Sequence, residues 1–155
     1  MPLFTLFHQQ DKDFADPIVE RLRETGIICF VDPIVKSNRS SEDTISKLVD
    51  RTRHSNHLLL IIPSSSDIPW WVPFAVGCAS STDKSVALYQ FDAQNFPVYL
   101  SKWPILNKPS DIDLFIDCYR QDAKVPFSEA RNTYQPLTSP AMFHRKLKEK
   151  LKRQA

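Results

Sequence analysis

Glycine is scarce in this sequence: of 155 residues only two, Gly26 and Gly77, are glycine, whereas twelve are proline. The phosphate-binding loops of Rossmann domains and of P-loop proteins need several glycines at fixed spacing, in the patterns GxGxxG and GxxxxGK[ST]. Two glycines far apart in the chain can form neither pattern. Any nucleotide that this protein binds must therefore be held by other means.

Cysteines and long apolar runs are also few. The three cysteines are odd in number and include no CxxC pair, which argues against a disulfide framework and a zinc site and fits a reducing compartment. The apolar run 58–62 is far shorter than the roughly 18–20 residues of a membrane helix. Residues 1–10 lack the basic start of a signal peptide. We therefore expect a cytoplasmic protein that binds neither a membrane nor a metal ion.

The charge is nearly balanced overall but unevenly distributed. Residues 144–153 carry a net charge of +5 against +2 for the whole chain, which leaves −3 for all other residues. A nucleic-acid-binding surface over the body of the protein is therefore not expected. Within the basic segment Phe143, Leu147 and Leu151 have helical spacing. They predict a final helix over 142–152 that docks through these side chains and leaves its cationic face in solvent.

Apolar runs alternate with amphipathic stripes along the first half of the chain. Strands are predicted at 3–7, 27–31, 57–62 and 85–91, and helices at 11–25, about 41–53 and 70–80. Asp11 or Asp13 can cap the first helix, and Gly26 can end it in the left-handed conformation. Asp32 and Pro33 predict the end of the second strand.

The alternation of strands and helices predicts an α/β fold. We expect a flavodoxin-like parallel sheet of about five strands with helices on both faces, plus a C-terminal helix. A short fifth strand within 97–106 and a helix over 111–120 complete the pattern. The chain is predicted to be a single domain, with a core of about 2–122 and an extension of about 123–155. Ligands bind to such sheets at the carboxyl ends of the strands.

The first motif at that edge is Phe7-His8-Gln9-Gln10-Asp11, directly after the first strand. A histidine at this place can stack on a base or hydrogen-bond a ribose, and Asp11 can hold the loop through backbone N–H groups. The plainer interpretation is a loop histidine followed by a helix cap.

The second motif is Trp70-Trp71-Val72-Pro73-Phe74-Ala75. Two tryptophans at the edge of a sheet are rigid amphipathic surfaces, suited to stacking on a nicotinamide or adenine ring. The plainer interpretation is that they fill the core. Because neighbouring positions on a helix point in different directions, we expect at most one to pack fully inward.

Other reactive groups are less informative. Ser64, Ser65 and Ser66 lack the glycines of a nucleophile elbow. His54 and His57 have no carboxylate or cysteine at metal-ligand spacing, so a metal site is not predicted.

These motifs, in this order, resemble a Toll/interleukin-1 receptor (TIR) domain over residues 3 to about 92. The second strand ends at Asp32-Pro33 before a polar loop that is similar to the BB loop of that family. Trp71 and the position four residues later match the WxxxE motif. The combination of Phe-His-x-Gln-Asp with Trp-Val-x-Phe is most similar to the stand-alone TIR proteins of Thoeris antiphage defence systems.

The resemblance implies a flavodoxin-like fold and NAD⁺ as a substrate rather than a cofactor. Such domains cleave the bond between nicotinamide and ribose and release ADP-ribose, a cyclic isomer or a conjugate, which signals to an effector protein. TIR–TIR self-assembly and a phage-derived activator are the other implied partners. The positions that the resemblance assigns to NAD⁺ binding are Phe7, His8, Gln9, Asp11, Asp32, Pro33, Arg39 and Trp71.

One departure from the family pattern concerns catalysis. The catalytic glutamate is expected four residues after Trp71, where this chain has Ala75. Loss of nicotinamide leaves an oxocarbenium-like ribose, which a carboxylate stabilises. Removing such a positioned group costs about 10²–10⁴ in rate. The chain is either a natural pseudoenzyme or a variant inactivated at this position, and in both cases we expect it to be nearly inactive.

Two other functions fit the sequence. A non-catalytic TIR adaptor would use the loop 32–41 and the Trp70-Trp71 surface as assembly faces. A nucleoside deoxyribosyltransferase-like enzyme, which also directs a glutamate at an N-glycosidic bond, would act on free nucleosides and ignore NAD⁺.

Overall fold

The protein was analysed as a computed structural model that describes residues 2–34, 41–62, 68–90, 97–123 and 140–153. Five strands form one sheet in the order β2-β1-β3-β4-β5, and every neighbouring pair is parallel. The strands are β1 (Leu3–His8), β2 (Cys29–Ile34), β3 (His57–Ile62), β4 (Ser85–Gln90) and β5 (Ile105–Leu106).

Helices connect the strands and cover both faces of the sheet. They are α1 (Lys12–Glu24), α2 (Ser41–Arg53), α3 (Trp71–Ser81), α4 (Pro109–Ala123) and α5 (Pro140–Arg153), with short 3₁₀-helices at Gln9–Asp11 and Val98–Lys102. The predicted α/β, flavodoxin-like fold is confirmed. Among the helices in the described ranges, none is both long and apolar enough to cross a membrane.

The sheet separates two apolar layers because successive side chains of a strand point to opposite faces. Leu3 and Phe7 of β1 pack with the buried residues of α1, α4 and α5. Phe4 and Leu6 pack with those of α2 and α3. We refer to these as the α1/α4 face and the α2/α3 face.

The second strand is shifted along the chain relative to the prediction. It begins at Cys29 rather than Ile27 and continues through Asp32 and Pro33 to Ile34, one residue beyond the expected end. Proline lacks the N–H that a central strand must donate and is tolerated on an edge strand. Since β2 lies at the edge of the sheet and pairs only with β1, Pro33 can stay within it.

The first helix buries the predicted stripe of Ile18, Val19 and Leu22. Gly26 follows it with φ of +82°, the left-handed conformation expected at that point. The predicted capping is wrong in detail. Asp11 occupies the N-cap position, but its side chain makes no capping hydrogen bond, because the preceding 3₁₀ turn leaves its backbone outside the extended region that a cap requires.

The C-terminal helix α5 docks as predicted, with Phe143 and Leu147 buried and Leu151 partly buried in the α1/α4 layer. β5 pairs with β4 only at Leu88 and Tyr89. Nearer the start of β4, where β5 does not pair with it, the backbone N–H of Val86 donates a hydrogen bond of 2.8 Å to Nε2 of His144 on α5. The extension is therefore joined to the sheet by a polar bond as well as by apolar packing.

Candidate functional site

The carboxyl ends of four strands place a row of side chains on the α2/α3 face. The register pairs His8 with Ile34 and Ile62 with Gln90. The pairing of β1 with β3 ends at Leu6 and Leu60, and His8 and Ile62 each lie two residues further along their strands. The row at the carboxyl ends of the strands is therefore Ile34, His8, Ile62 and Gln90. Within the two paired sets, Ile34 with His8 and Ile62 with Gln90, neighbouring strands lie about 4.8 Å apart in the direction of their hydrogen bonds.

Helix α3 begins at the same edge, because it connects the carboxyl end of β3 to the start of β4. Trp71 and Ala75 lie one turn apart on its inner side, and both belong to the apolar cluster that contains Ile34 and Ile62. Trp71 is 1% exposed, and Ala75 is fully buried. A side chain at position 75 therefore points toward the sheet and not into solvent.

Two polar atoms at this edge are buried without a partner. Nε1 of Trp71 and Oε1 of Gln90 make no hydrogen bond within the described part of the chain, although Gln90 is only 2% exposed. Leaving such a group unsatisfied costs roughly 1–3 kcal/mol. Unsatisfied buried groups are uncommon in native proteins, and among their explanations are a functional role and a bound water or ion.

His8 is half-buried, and its orientation is set locally. Its Nδ1 accepts a hydrogen bond of 3.1 Å from the backbone N–H of Gln10. In the neutral imidazole the proton is therefore on Nε2. This N–H is the donor that His8 can offer to a ligand, while the neighbouring Gln9 is exposed.

Asp11 is half-buried at the exit of β1. Its Oδ2 has no hydrogen-bond partner among the residues described. Burial raises the pKa of this carboxyl, an effect that the nearby His8 opposes. A partly dehydrated carboxylate oxygen of this kind is suited to accept hydrogen bonds from sugar hydroxyls.

Phe7 does not join these residues. Its side chain is buried on the α1/α4 face with Leu3 and Leu59, on the opposite side of the sheet from Trp71. Because Phe7 and His8 are consecutive in a strand, they cannot both face the same layer. Pro33 is paired in register with Phe7, so it too faces away from the layer that contains Trp71.

The remaining residues assigned by the resemblance lie on or after β2. The backbone of Asp32 pairs with that of Leu6. Arg39 and the rest of residues 35–40 lie outside the described residues, as do 63–67 after β3. The loop expected to be similar to the BB loop is therefore described only at its ends.

The two tryptophans differ in burial, as expected from their neighbouring positions on a helix. Trp70 is 52% exposed at the start of α3. Its ring lies edge-on to that of Phe74, with the ring centres 6.2 Å apart, and Phe74 is also exposed. This aromatic pair forms part of the outer surface next to the buried Trp71.

A hollow of about 600 Å³ lies between α1 and α4 on the other face of the sheet. Its lining includes Phe14, Tyr89 and Ile112, together with Arg21 and Asp113, which form an ion pair of 2.8 Å. Of the residues that the sequence and its resemblance single out for ligand binding, none lines this hollow. The hollow lies on the α1/α4 face, whereas His8, Trp71 and position 75, which the sequence motifs single out, share the carboxyl edge of the α2/α3 face. We therefore place the candidate site on the α2/α3 face.

Gln90 was not predicted from the sequence as a site residue. The sequence signal that could have identified it was a single amide at the end of the apolar strand SVALYQ, at the carboxyl edge of the sheet.

Within the described ranges, no group of three or more histidine, cysteine or acidic side chains is placed to hold a metal ion. Comparison with protein-family models found no match for the chain, and comparison with curated proteins found none either.

Proposed function

We propose that this chain is a TIR-type NAD⁺-binding protein whose catalytic carboxylate position is occupied by Ala75. One observation carries the proposal: His8, Trp71, Ala75 and Gln90 lie at the same edge and on the same face of the sheet. The sequence motifs that resemble the family supply the first three of these residues, and Gln90 adds a buried polar group beside them.

The reaction proposed for the family site breaks the N-glycosidic bond between nicotinamide and C1′ of the ribose. The bonding electron pair leaves with nicotinamide, and an oxocarbenium-like ribose remains. Water or another acceptor then attacks C1′, with release of a proton, to give ADP-ribose or a related product. His8 and Asp11 would hold the ribose through the Nε2–H donor and the unpaired carboxylate oxygen.

This chain would bind NAD⁺ and turn it over very slowly. The methyl group of Ala75 neither opposes the developing positive charge nor accepts a hydrogen bond. A glutamate there would carry its carboxylate into the buried layer beside Trp71, where dehydration raises a carboxyl pKa. Signalling to an effector after phage infection is the biological role that the resemblance suggests for an active form.

The test compares the chain with Ala75→Glu and the matched control Ala75→Gln, which has the same size but no charge. NAD⁺ loss and nicotinamide release are followed by chromatography, with and without lysate from phage-infected cells. We expect the Glu variant to exceed the other two by about 10²–10⁴. Equal rates for Glu and Gln, with any trigger, would overturn the catalytic part of the proposal. Cleavage of free nucleosides but not NAD⁺ would favour a deoxyribosyltransferase-like enzyme.

A second candidate function is assembly without catalysis. The observation that favours it is the exposed aromatic pair of Trp70 and Phe74 beside the site. Exposed aromatic side chains are enriched at protein interfaces. The test is sedimentation of Trp70→Ser against Val98→Ser, which removes an exposed apolar side chain from a different element. Loss of self-association in the first variant only, with NAD⁺ turnover absent in Ala75→Glu, would favour the adaptor.

A further inference from the structure

The amino half of β4 borders a part of the surface that the proposed function does not use. β5 pairs with β4 only at Leu88 and Tyr89, so it leaves the edge of β4 near Val86 uncovered. Helix α5 approaches there, and Nε2 of His144 accepts the 2.8 Å hydrogen bond from the backbone N–H of Val86. Because the candidate site is at the carboxyl ends of the strands, this surface lies at the opposite end of β4.

Two adjoining hollows open beside the imidazole of His144. One has a volume of about 390 Å³ and the other a volume of about 320 Å³, and Lys102, Ala141 and His144 line both of them. Each volume lies within the range of small-molecule sites, roughly 300–1,000 Å³. We refer to the two together as the basic hollow.

The lining of the basic hollow is strongly cationic. It contains five cations and two carboxylates, a net charge of +3, whereas the whole chain carries only +2. The cations are Lys84, Lys102, Arg145, Lys148 and Lys152, and the carboxylates are Asp83 and Glu149. Among the residues that the structure describes, none of the five cations forms an ion pair. An anion that enters the hollow therefore has no carboxylate to displace from them.

Two of the lysines are positioned near the imidazole. Nζ of Lys148 donates a 2.9 Å hydrogen bond to the backbone carbonyl of Ser101, the residue before Lys102. Nζ of Lys102 lies 5.4 Å from the centre of the Trp103 ring. Burial, and then the charges of Lys148 and Lys102, lower the pKa of His144 to about 4. The imidazole is therefore neutral at pH 7, within the field of both ammonium groups.

His144 adds a hydrogen-bond donor to the wall of the hollow. Because its Nε2 accepts from Val86, the proton of the neutral ring is on Nδ1. This Nδ1–H has no hydrogen-bond partner within the described ranges. The hollow therefore offers a ligand several cationic donors and one neutral donor.

A phosphate group matches these donors. It carries a charge of about −1.5 to −2 at pH 7 and presents three acceptor oxygens, so it can contact several cations at once. Lysine ammonium groups are common phosphate ligands. A single carboxylate has one charge and two oxygens, and it would leave more of the positive charge unbalanced.

We propose that the basic hollow binds a phosphate group, which Lys102, Lys148 and Nδ1–H of His144 hold. A soluble phosphorylated molecule and a phospholipid headgroup present the same phosphate oxygens, and the experiment separates these two sources. The site goes beyond the proposed function, because it uses none of the residues of the candidate site and does not depend on NAD⁺ binding.

The test titrates the full chain with inorganic pyrophosphate at constant ionic strength and measures binding by calorimetry. We expect one site per chain. Lys102→Gln and Lys148→Gln should each weaken binding about 10-fold, because each removes a charge-assisted hydrogen bond. The control is Lys146→Gln, which removes the same charge from an exposed position of α5 outside the hollow. It should change the affinity by less than about twofold, because salt screens distant surface charges.

Folding does not confound the comparison, because neither Lys102 nor Lys148 is buried and both variants should unfold at the parental temperature. The ring signals of His144 in NMR spectra give a second readout. Pyrophosphate should shift them while leaving those of His8 at the candidate site unchanged.

Vesicles of phosphatidylcholine, with and without phosphatidic acid, identify the source of the phosphate. Binding to the vesicles with phosphatidic acid, competed by pyrophosphate, would identify a lipid headgroup. Binding of pyrophosphate without binding to vesicles would identify a soluble ligand.

Three results would overturn the inference. The first is that neither pyrophosphate nor either kind of vesicle binds. The second is equal weakening by Lys146→Gln and Lys102→Gln, which would show diffuse attraction to a cationic surface. The third is a shift of the His8 signals in place of those of His144, which would put the anion at the candidate site.

Discussion

His57 of β3 and Asp122 of α4 form a buried pair in which Nε2 of the imidazole lies 2.8 Å from Oδ2 of the carboxylate. Their side chains are only 3% and 7% exposed. The rings of Tyr119 and Phe143 pack edge-on against the imidazole, each with its centre 4.8 Å away. The pair therefore joins the amino end of β3 to α4 and contacts α5 through Phe143.

Removal of the carboxylate from this pair should be costly. We expect Asp122→Ala to lower the free energy of unfolding by about 3 kcal/mol, because the buried imidazole loses its partner on Nε2. Urea denaturation measures this change. Asp16→Ala, which breaks the exposed pair with Lys12, is the control and should change stability by less than about 1 kcal/mol. Similar losses in both variants would contradict the structural role of the buried pair.

The bond between His144 and β4 makes stability depend on pH. Burial, together with the nearby Lys148 and Lys102, lowers the pKa of His144 from its ordinary 6.5 to about 4. A pKa that is lower in the folded state means that the unfolded chain binds the proton more readily. The contribution of His144 is thus complete above pH 6.5 and is lost as the pH falls toward 4.

The measurement is the free energy of unfolding between pH 7 and pH 4. His144→Gln keeps a neutral acceptor near the N–H of Val86 but does not titrate, so its stability should fall less steeply over this range than that of the parent chain. His54→Gln, at an exposed histidine, should retain the parental slope. A parental slope in His144→Gln would show that this histidine is not the group responsible.

The docking of α5 should contribute strongly to stability. Phe143 is buried against Phe115, with the ring centres 5.9 Å apart. We expect Phe143→Ala to cost about 3–5 kcal/mol, as is usual for a large side chain removed from a core. Lys146→Ala on the exposed side of the same helix should change stability by about 0.5 kcal/mol or less. Thermal unfolding of the two variants compares them, and a small effect of Phe143→Ala would argue that α5 is only loosely attached.

The adjacent tryptophans should respond differently to the same change. Trp71→Ala empties a position within the α2/α3 layer and should destabilise the protein by about 3–5 kcal/mol. Trp70→Ala removes an exposed ring and should have little effect on folding. Circular dichroism during urea titration measures both. An equal loss in the two variants would mean that Trp70 is covered in the folded protein.

Much of the fold follows from local patterns in the sequence. The helical stripe that ends at Gly26, the apolar run at His57–Ile62 and the spacing of Phe143 and Leu147 each predict an element that is present. The extension of β2 through Pro33 was missed because a proline interrupts a strand unless that strand is at an edge, and sequence alone does not reveal strand order. The missing cap at Asp11 depends on a 3₁₀ turn that propensities do not predict.

The sequence predicted a site at the carboxyl edge of the sheet but did not identify every residue that lies there. The sequence by itself determined the class of fold and the absence of a glutamate at position 75, because alternation of elements and the identity of a residue are local properties. Only the tertiary structure decided that Phe7 faces away from Trp71, that Gln90 pairs with Ile62 at the end of β3, and that Asp122 pairs with His57. Those relationships depend on strand register and on which face a side chain occupies, and both are set by packing between segments distant in the chain.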